Sequence, residues 1–462
     1  MKISIGFIST DTATTAAWAA QEGFQDILII GPLVRATADH AVVSRALGIT
    51  WNTLTATDWH TTATPTLPPH VASVSGLSTQ ARLAHYHVMT PEAAIPPIVT
   101  PGPIPGYTPA QILAAYGIDQ PWDGTGETLA IAEWSNDFVQ SDIDTFCQTF
   151  NLPACTPEVV NIGGYTPSST PGVEATLDIE WAHAIAPGAQ IRMYNANAGT
   201  SYSSFALEVT TLLATIAAES APPHILSISY GDAESNFTAQ DLQSWELLMT
   251  TLGNKGVTVL VAAGDQGAYG QQSPGWPQQR NACAPASCVH ALAVGGTSLF
   301  MNLETLNDEF AWTNVYNTGA TGGGFSAYFK APTYQATSGM RSVPDLAAVA
   351  DPWTPCALYW NGTWNLVGGT SLATPVVAGL LTRVNHARRL AGFHPLGYVT
   401  PVLYELQALK LGLFRDITTG NNTCFSVAGY EAQVGFDQVT GLGAPIAQMW
   451  FDQLAWGAPK PA

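Results

Sequence analysis

An α/β fold is predicted: a doubly wound, mostly parallel sheet with helices on both faces, preceded by a small α+β domain. Three observations predict it. From residue 107 onward, short apolar strands alternate with helical stretches, the pattern of a sheet covered on both faces. Ahead of that lies a Pro-rich tract, Thr90 to Gly106, with Pro96-Pro97, Pro101-Gly102-Pro103 and Pro105-Gly106, which can hold neither helix nor central strand. Residues 1 to about 90 mix both element types. The chain therefore divides into a domain over 1–90, a linker over 91–106 and a large domain over 107–462.

Taken in order, the opening run Met1 to Asp11 is apolar but too short for a signal peptide's core plus cleavage site. Ala13 to Glu22 and Asp39 to Leu47 read as helices, and Asp26-Ile27-Leu28-Ile29-Ile30 reads as a strand. After the linker, Thr108-Pro109-Ala110 caps a helix reaching Tyr116. Strands are expected at Thr128 to Glu133, Gln190 to Tyr194, His224 to Tyr230, Val257 to Ala263 and Ala291 to Val294. Helices are expected between them at 174–185, 203–218 and 239–252. In sheets of this kind the site lies at the carboxyl ends of the strands, which nominates residues following Glu133, Tyr230 and Ala263. The stretch 301–366 is rich in Gly, Trp, Asn and Thr with little periodicity, and is read as long loops carrying Gly322-Gly323-Gly324.

Composition narrows the function. In 462 residues there are 15 Lys+Arg against 34 Asp+Glu, a net charge of -19, and 11% of residues are charged. Nucleic acid and anionic membranes are therefore not expected as partners. Sparse charge suits an acidic medium, because few carboxylate-cation pairs can be lost on protonation, although an overall compositional bias would look the same. No uninterrupted apolar run is long enough for a membrane span. The six cysteines permit three disulfides of undecided connectivity, and the lack of Cys-x-x-Cys argues against zinc ribbons and thioredoxin chemistry.

The sharpest stretch is Val367-Gly368-Gly369-Thr370-Ser371-Leu372-Ala373-Thr374-Pro375, continuing small and apolar to Leu381. Two glycines permit a tight turn that delivers Ser371 to the start of a buried helix. Unpaired N–H groups there favour an oxyanion beside the hydroxyl. A serine in such a place can equally be a plain helix cap. Val294-Gly295-Gly296-Thr297-Ser298 repeats the five letters but continues Leu299-Phe300-Met301-Asn302, a strand running into a loop. Only Ser371 opens a helix, so Ser371 is the candidate nucleophile.

A nucleophilic serine needs a base, usually histidine. Ten histidines are present, yet none sits in a His-Gly-Thr motif, and His183 on the 174–185 helix reads as a core or rim residue. The same helix carries Glu174 and Asp178, four apart and so on one face. Beside Leu177, Ile179, Trp181, Ala182, Ala184 and Ile185 they read either as a solvated acidic face or as a buried pair sharing a proton. A third acid, Asp265 in Gly264-Asp265-Gln266-Gly267, closes a strand where a substrate carbonyl could sit. Protonated, it donates to an oxyanion; ionised, it repels one. That choice points to an enzyme working in acid.

Glu174, Asp178, Asp265 and Ser371, in this order, resemble the sedolisins, serine-carboxyl peptidases that share the subtilisin fold. Further matches are Ser227-Ile228-Ser229-Tyr230-Gly231, Gly322-Gly323-Gly324-Phe325-Ser326, Pro344-Asp345 and Gly441-Leu442-Gly443, spread over about 107 to 450. The resemblance implies a subtilisin-like fold in which Ser371 attacks the scissile carbonyl and Glu174 is the base. It also implies that Asp178 orients Glu174 and that Asp265 serves the oxyanion from the place a subtilisin uses an asparagine. Glu133 matches a network glutamate, while Tyr230 stands where some members have tryptophan. Near the C-terminus it implies one structural calcium ion held by Asp416 and Asp437 and by the carbonyls of Ile417, Gln433 and Gly435. Residues 1–90, through Ala46-Leu47-Gly48 and Leu67 to Leu77, resemble a shortened, ferredoxin-like remnant of a pro-domain.

The implied molecule is thus an acid-active endopeptidase for proteins and peptides, made as a zymogen. It is expected to be cut within 91–106, monomeric, bound by its own pro-domain, and located outside the cell or in an acidic compartment. A tripeptidyl exopeptidase with the same catalytic residues, or a non-catalytic relative, are the alternatives.

Overall fold

The computed structural model describes residues 1–456 apart from 56, 82, 90–103, 169, 200–202, 271–278, 303–304, 316–318 and 337–338. The N-terminal unit comprises β1 (Lys2–Ser9), α1 (Thr12–Glu22), β2 (Gln25–Ile30), β3 (Leu33–Asp39), α2 (His40–Leu47) and β4 (Val71–Ser75). Its sheet has the order β2-β3-β1-β4, with β3 and β4 antiparallel to β1. All six elements of a ferredoxin-like βαββαβ plan are thus in place. Asp11 starts α1 by accepting the Thr14 N–H, and left-handed Gly23 stops it. Strand β1 is buried from Ile3 to Ser9 because both its faces are covered: Ile3, Ile5 and Phe7 enter the unit's own core, while Ile8 joins the core of the large domain. Two short strands follow, β5 (Ala84–His85) and β6 (Val88–Met89). The expected linker falls mostly on residues 90–103, outside the described residues, as does any cut placed there.

The large domain opens on α3 (Pro109–Tyr116), whose start is a reciprocal capping box between Thr108 and Gln111. Its sheet uses β7 (Thr128–Trp134), β8 (Glu158–Asn161), β9 (Gln190–Ala196), β10 (Ile225–Ile228), β12 (Thr258–Ala262), β13 (Ala291–Asn302), β14 (Thr305–Ala311) and β15 (Leu346–Val349), while β11 (Tyr230–Ala233) lies outside it. The order is β8-β9-β7-β10-β12-β13-β14 with β15 also beside β13, and every pairing is parallel except β13 with β14. Side chains alternate across it. Leu129 and Ile131 face the core built by α4 (Val173–Ile185) and α7 (Thr370–Leu390), and Ala130 and Ala132 face that of α5 (Phe205–Ala218) and α6 (Ala239–Asn254). The expected doubly wound α/β architecture is therefore present. Helices α4 and α7 approach closely because Gly379 has no side chain: an added Cβ would lie 2.6 Å from Ile185 Cβ.

Two expectations change. Strand β13 does not end at Val294 but continues without a break to Asn302, paired with β14. The 301–366 region is not loop but carries β14, Gly324–Lys330, Met340–Val343, β15, Cys356–Trp360 and β16 (Thr363–Gly368). Most of these strands pair with near neighbours as hairpins, and their burial patterns show no clean alternation, so no period of two marks them in the sequence. All six cysteines are buried and unpaired. Among the described residues no helix is long and apolar enough to cross a membrane.

Candidate active site

Ser371 is the second residue of α7, following Gly369, whose φ of 110° is open to glycine at little cost. Its first-turn neighbour Thr370 is fixed by Asp265 at the carboxyl end of β12: the Thr370 N–H and hydroxyl both donate to Asp265 Oδ1 at 2.8 Å. Asp265 Oδ2 is buried without a hydrogen-bond partner. Burial, outweighing the Thr370 hydrogen bonds, pushes this carboxyl up to about 7. In acid it is a neutral donor with a free O–H.

Helix α4 begins at Gly172, where Asn136 Oδ1 accepts the Ala175 N–H at 3.0 Å, and so presents Glu174 in its first turn. Glu174 and Asp178 are completely buried, which removes the solvated-face reading. Ser229 Oγ contacts both Asp178 oxygens, at 3.0 and 2.9 Å. Burial, and then the neighbouring Glu174, hold Asp178 well above the usual carboxylate range. Glu133, at the end of β7, accepts the Tyr230 hydroxyl, and burial followed by the Asp178 and Glu174 charges raises it likewise. The tyrosine thus takes up a hydrogen bond to Glu133 within the acid network. His183 meets the Pro153 carbonyl at 2.8 Å and stays apart from the acids. Ser298 donates to Asp351 at 2.6 Å from mid-strand, a structural bond.

A segment that the sequence does not mark crosses this site. Strand β5 pairs antiparallel with β11 (Tyr230 opposite His85, Gly231 opposite Ala84), and β6 pairs antiparallel with β16 (Gly368 opposite Val88). Between them the Tyr86 N–H donates to Ser229 O at 3.3 Å, and the Tyr86 carbonyl accepts the Ser371 N–H at 2.8 Å. A Cβ on Gly369 would clash with that carbonyl oxygen and stand 2.7 Å from Asp265 Oδ2, so both oxygens face one point. The His87 ring meets Glu174 Oε2, and His85 Nδ1 lies 3.9 Å from the same oxygen. Burial opposes charge on His87, but Glu174 outweighs it and raises the imidazole above its ordinary value. With Glu174 so engaged, the Ser371 hydroxyl donates to Ser229 O at 3.3 Å. The only sequence cue to this segment is two histidines flanking a tyrosine before the Pro-rich tract.

The five residues expected around calcium do converge. Asp416 Oδ2 accepts the Gly435 N–H at 2.9 Å, Asp437 Oδ2 accepts the Gln433 N–H at 2.8 Å, and Thr440 Oγ1 spans from Asp437 to Ile417 O at 3.5 Å. Gly435 takes φ of 83°, whereas Gln433 is not among the positive-φ residues, so its side chain costs the loop nothing. Burial raises Asp437, and backbone and hydroxyl hydrogen bonds oppose the shift. Two carboxylates and three carbonyls form an oxygen-only donor set that fits a hard cation.

A model of the subtilase family matches residues 149–392. Kumamolisin of Bacillus sp. (strain MN-32) is 33% identical over 360 residues, 74% of this chain and 62% of that protein. Tripeptidyl-peptidase 1 of Bos taurus is 31% identical over 412 residues, 82% of this chain and 69% of that protein. The chain thus spans roughly two thirds of the length of these relatives. Among solved structures, Pseudomonas sedolisin, a serine-carboxyl proteinase complexed with pseudo-iodotyrostatin, superposes with a TM-score of 0.67 at 24% identity, over 76% of this chain and 98% of that one. The epidermin leader peptide processing serine protease of Staphylococcus aureus shares the fold with a TM-score of 0.53 at 14% identity, over 100% of both chains.

Proposed function

Because the chain belongs to the sedolisins, serine peptidases of the subtilase family, we propose that it is an acid-acting endopeptidase made as a zymogen. The observation that carries this reading is a peptide carbonyl, that of Tyr86, accepting the Ser371 N–H while the free Asp265 Oδ2 lies beside the same point next to Gly369. Ser371 attacks that carbonyl, and Glu174 receives the hydroxyl proton and returns it to the leaving amine. Asp178, held by Ser229, keeps the acid pair sharing a proton. Asp265, neutral in acid, donates to the oxyanion. A carboxylate base remains competent where an imidazole would be protonated. Residues 1–90 act as the pro-domain, and Asp416, Asp437 and the carbonyls of Ile417, Gln433 and Gly435 hold a calcium ion that ties two loops together. Secretion or an acidic compartment suits this chemistry.

Between endopeptidase and tripeptidyl exopeptidase, the path of the 84–89 segment favours the first. Ala84 is the third residue counted back from the carbonyl at Ser371 and is preceded by Leu83, so the cleft admits chain on the amino side of that position. Casein digestion from acid to neutral pH, compared with Ser371→Ala, tests the reading. Activity is expected to peak in acid and to fall at least about a thousandfold in the variant. Activity peaking above neutrality, or surviving Ser371→Ala, would overturn it. Doubly blocked peptides are expected to be cut internally; release of tripeptides from free amino ends alone would instead assign the exopeptidase.

A further inference from the structure

We propose that in its unprocessed form the chain binds one zinc ion between His85, His87 and Glu174, and that the ion silences Glu174. The binding rests on geometry alone; the silencing rests on the reading of Glu174 as the base. In an extended segment, residues two apart project to the same side. Strand β5 holds His85 opposite Tyr230, with the two rings 4.9 Å apart, and β6 holds the chain beyond His87 against β16. Tyr86 between them is completely buried, and both imidazoles turn to the first turn of α4. Their ring centroids lie 5.5 Å apart. His85 Nδ1, His87 Nδ1 and Glu174 Oε2 all fall within 4.8 Å of one another.

Hydrogen bonding leaves this cluster incomplete. His87 Nδ1 meets Glu174 Oε2, but His85 Nδ1 stops 3.9 Å from the same oxygen and is buried with no hydrogen-bond partner. Elsewhere His224 meets Glu127 and His290 meets Glu246, one histidine to one carboxylate, and among the described residues no second cluster brings three such donor atoms together.

One tetrahedral ion satisfies all three atoms. Bonds of about 2.0 to 2.2 Å set neighbouring ligands about 3.3 Å apart, so His85 has to close on Glu174 by about half an ångström and His87 to back away from it. Each histidine binds through Nδ1 as neutral imidazole with its proton on Nε2. Two imidazoles and a carboxylate, with water in the fourth position, are a zinc donor set, whereas the oxygen-only set around Asp416 and Asp437 suits calcium. The His85 side chain is 35% exposed and that of His87 17%, so an ion reaches the site from solvent although Glu174 is buried. Glu133, Asp178 and Asp265 each feel the Glu174 charge, and a dication among them relieves that repulsion. Bound to Oε2, it lowers the basicity of the carboxylate, which then does not take the Ser371 proton, and it pins the cleft segment to α4.

The test titrates zinc into full-length Ser371→Ala, which cannot process itself, at neutral pH with excess calcium to fill the oxygen site. Calorimetry is expected to give one zinc per chain, and cobalt(II) in its place to give the intense visible bands of a four-coordinate ion. His85→Ala, His87→Ala and Glu174→Gln, each added to that background, should weaken zinc at least about tenfold, the least that losing even a hydrogen-bond partner of a ligand costs. His224→Ala and His290→Ala should bind within about twofold of the parent. Zinc should raise the melting temperature of the parent but not of His85→Ala, whose own melting transition without zinc shows that it folds. No saturable zinc, six-coordinate cobalt, or equal affinity in the parent and His85→Ala would overturn the site. In wild type, zinc at a hundred times its Kd should slow the onset of casein cleavage at least about tenfold, at the highest pH where the zinc-free protein becomes active, and calcium-loaded EDTA should restore it. His85→Ala should show the same onset with and without zinc; equal onsets in wild type would overturn the silencing. Casein cleavage with no zinc bound sinks this inference alone, and zinc bound by a protein that never cleaves casein keeps the site and sinks the peptidase reading.

Discussion

On the proposed reading Asp265 sets the working pH, through one unsatisfied atom. Thr370 engages Oδ1 twice, which fixes the carboxyl and leaves Oδ2 buried and free. Folding therefore favours the neutral acid, whose pKa rises from 3.8 to about 7. The sign for stability follows. A carboxyl raised in the folded state retains a proton that the unfolded chain has lost, so its contribution is greatest below the unfolded value and declines as pH rises from about 4 towards 7. Asp178 and Glu133, raised by burial, act in the same direction. For catalysis, the donor disappears about tenfold per unit once pH exceeds the folded pKa. Casein kcat/KM is expected to fall with that slope above about pH 7. Asp265→Asn, a donor at every pH, should lose this limb while staying within about tenfold of the acid plateau, and Asp265→Ala should drop 10²- to 10³-fold throughout. Superimposable alkaline limbs for wild type and Asp265→Asn would refute the role.

At the scale of elements, what could be read in the sequence was whatever a local period encodes. Helices α4 to α6 and strands β7, β9 and β12 announce themselves by spacing, and the glycines before Ser371 announce the turn into α7. The acids followed from those placements. Strand β15 was missed because its partner β13 lies about fifty residues away, β14 and β16 because their hairpins alternate irregularly, and β5 and β6 exist only as additions to β11 and β16, two residues each. Tyr86 and His87 are therefore legible only in three dimensions. The loops carrying Asp416 and Asp437 are an intermediate case, since the aspartates stand out but their convergence does not. If calcium holds these loops, chelation with EDTA should lower the melting temperature, and a hundredfold excess of calcium over its Kd should restore about 2.7 kcal/mol. Asp437→Asn should melt low already and respond to neither. Equal melting temperatures with and without EDTA in the wild type would remove the metal from the account.

At the scale of the whole molecule, the N-terminal unit is joined to the large domain by more than the segment in the cleft. Its sheet lies on α5 and α6. Arg35 forks onto both oxygens of Glu208 at 3.0 and 2.7 Å, and Asp241 accepts Ser75 Oγ at 2.6 Å and the Gly76 N–H at 3.2 Å. Cleavage between the two domains does not undo this contact, so the severed unit should remain docked, with Tyr86 against Ser371, and block the site. Arg35 is the residue to remove. Glu208 is 0% exposed in the complex, and Arg35→Ala would leave its charge with Ser203 as its hydrogen-bond partner among the described residues. Losing one partner of a buried, doubly hydrogen-bonded pair costs at least about 2 kcal/mol, or roughly thirtyfold in affinity. After self-cleavage and return to neutral pH, wild type is expected to elute from size exclusion as one complex with low activity. Arg35→Ala should separate into two species with casein activity restored. Lys2→Ala, which breaks a solvent-exposed pair with Asp26 on the same unit, should behave as wild type, because such pairs are worth little. Equal elution of all three proteins would mean that the cleft segment alone retains the unit and that the docking face contributes nothing to inhibition.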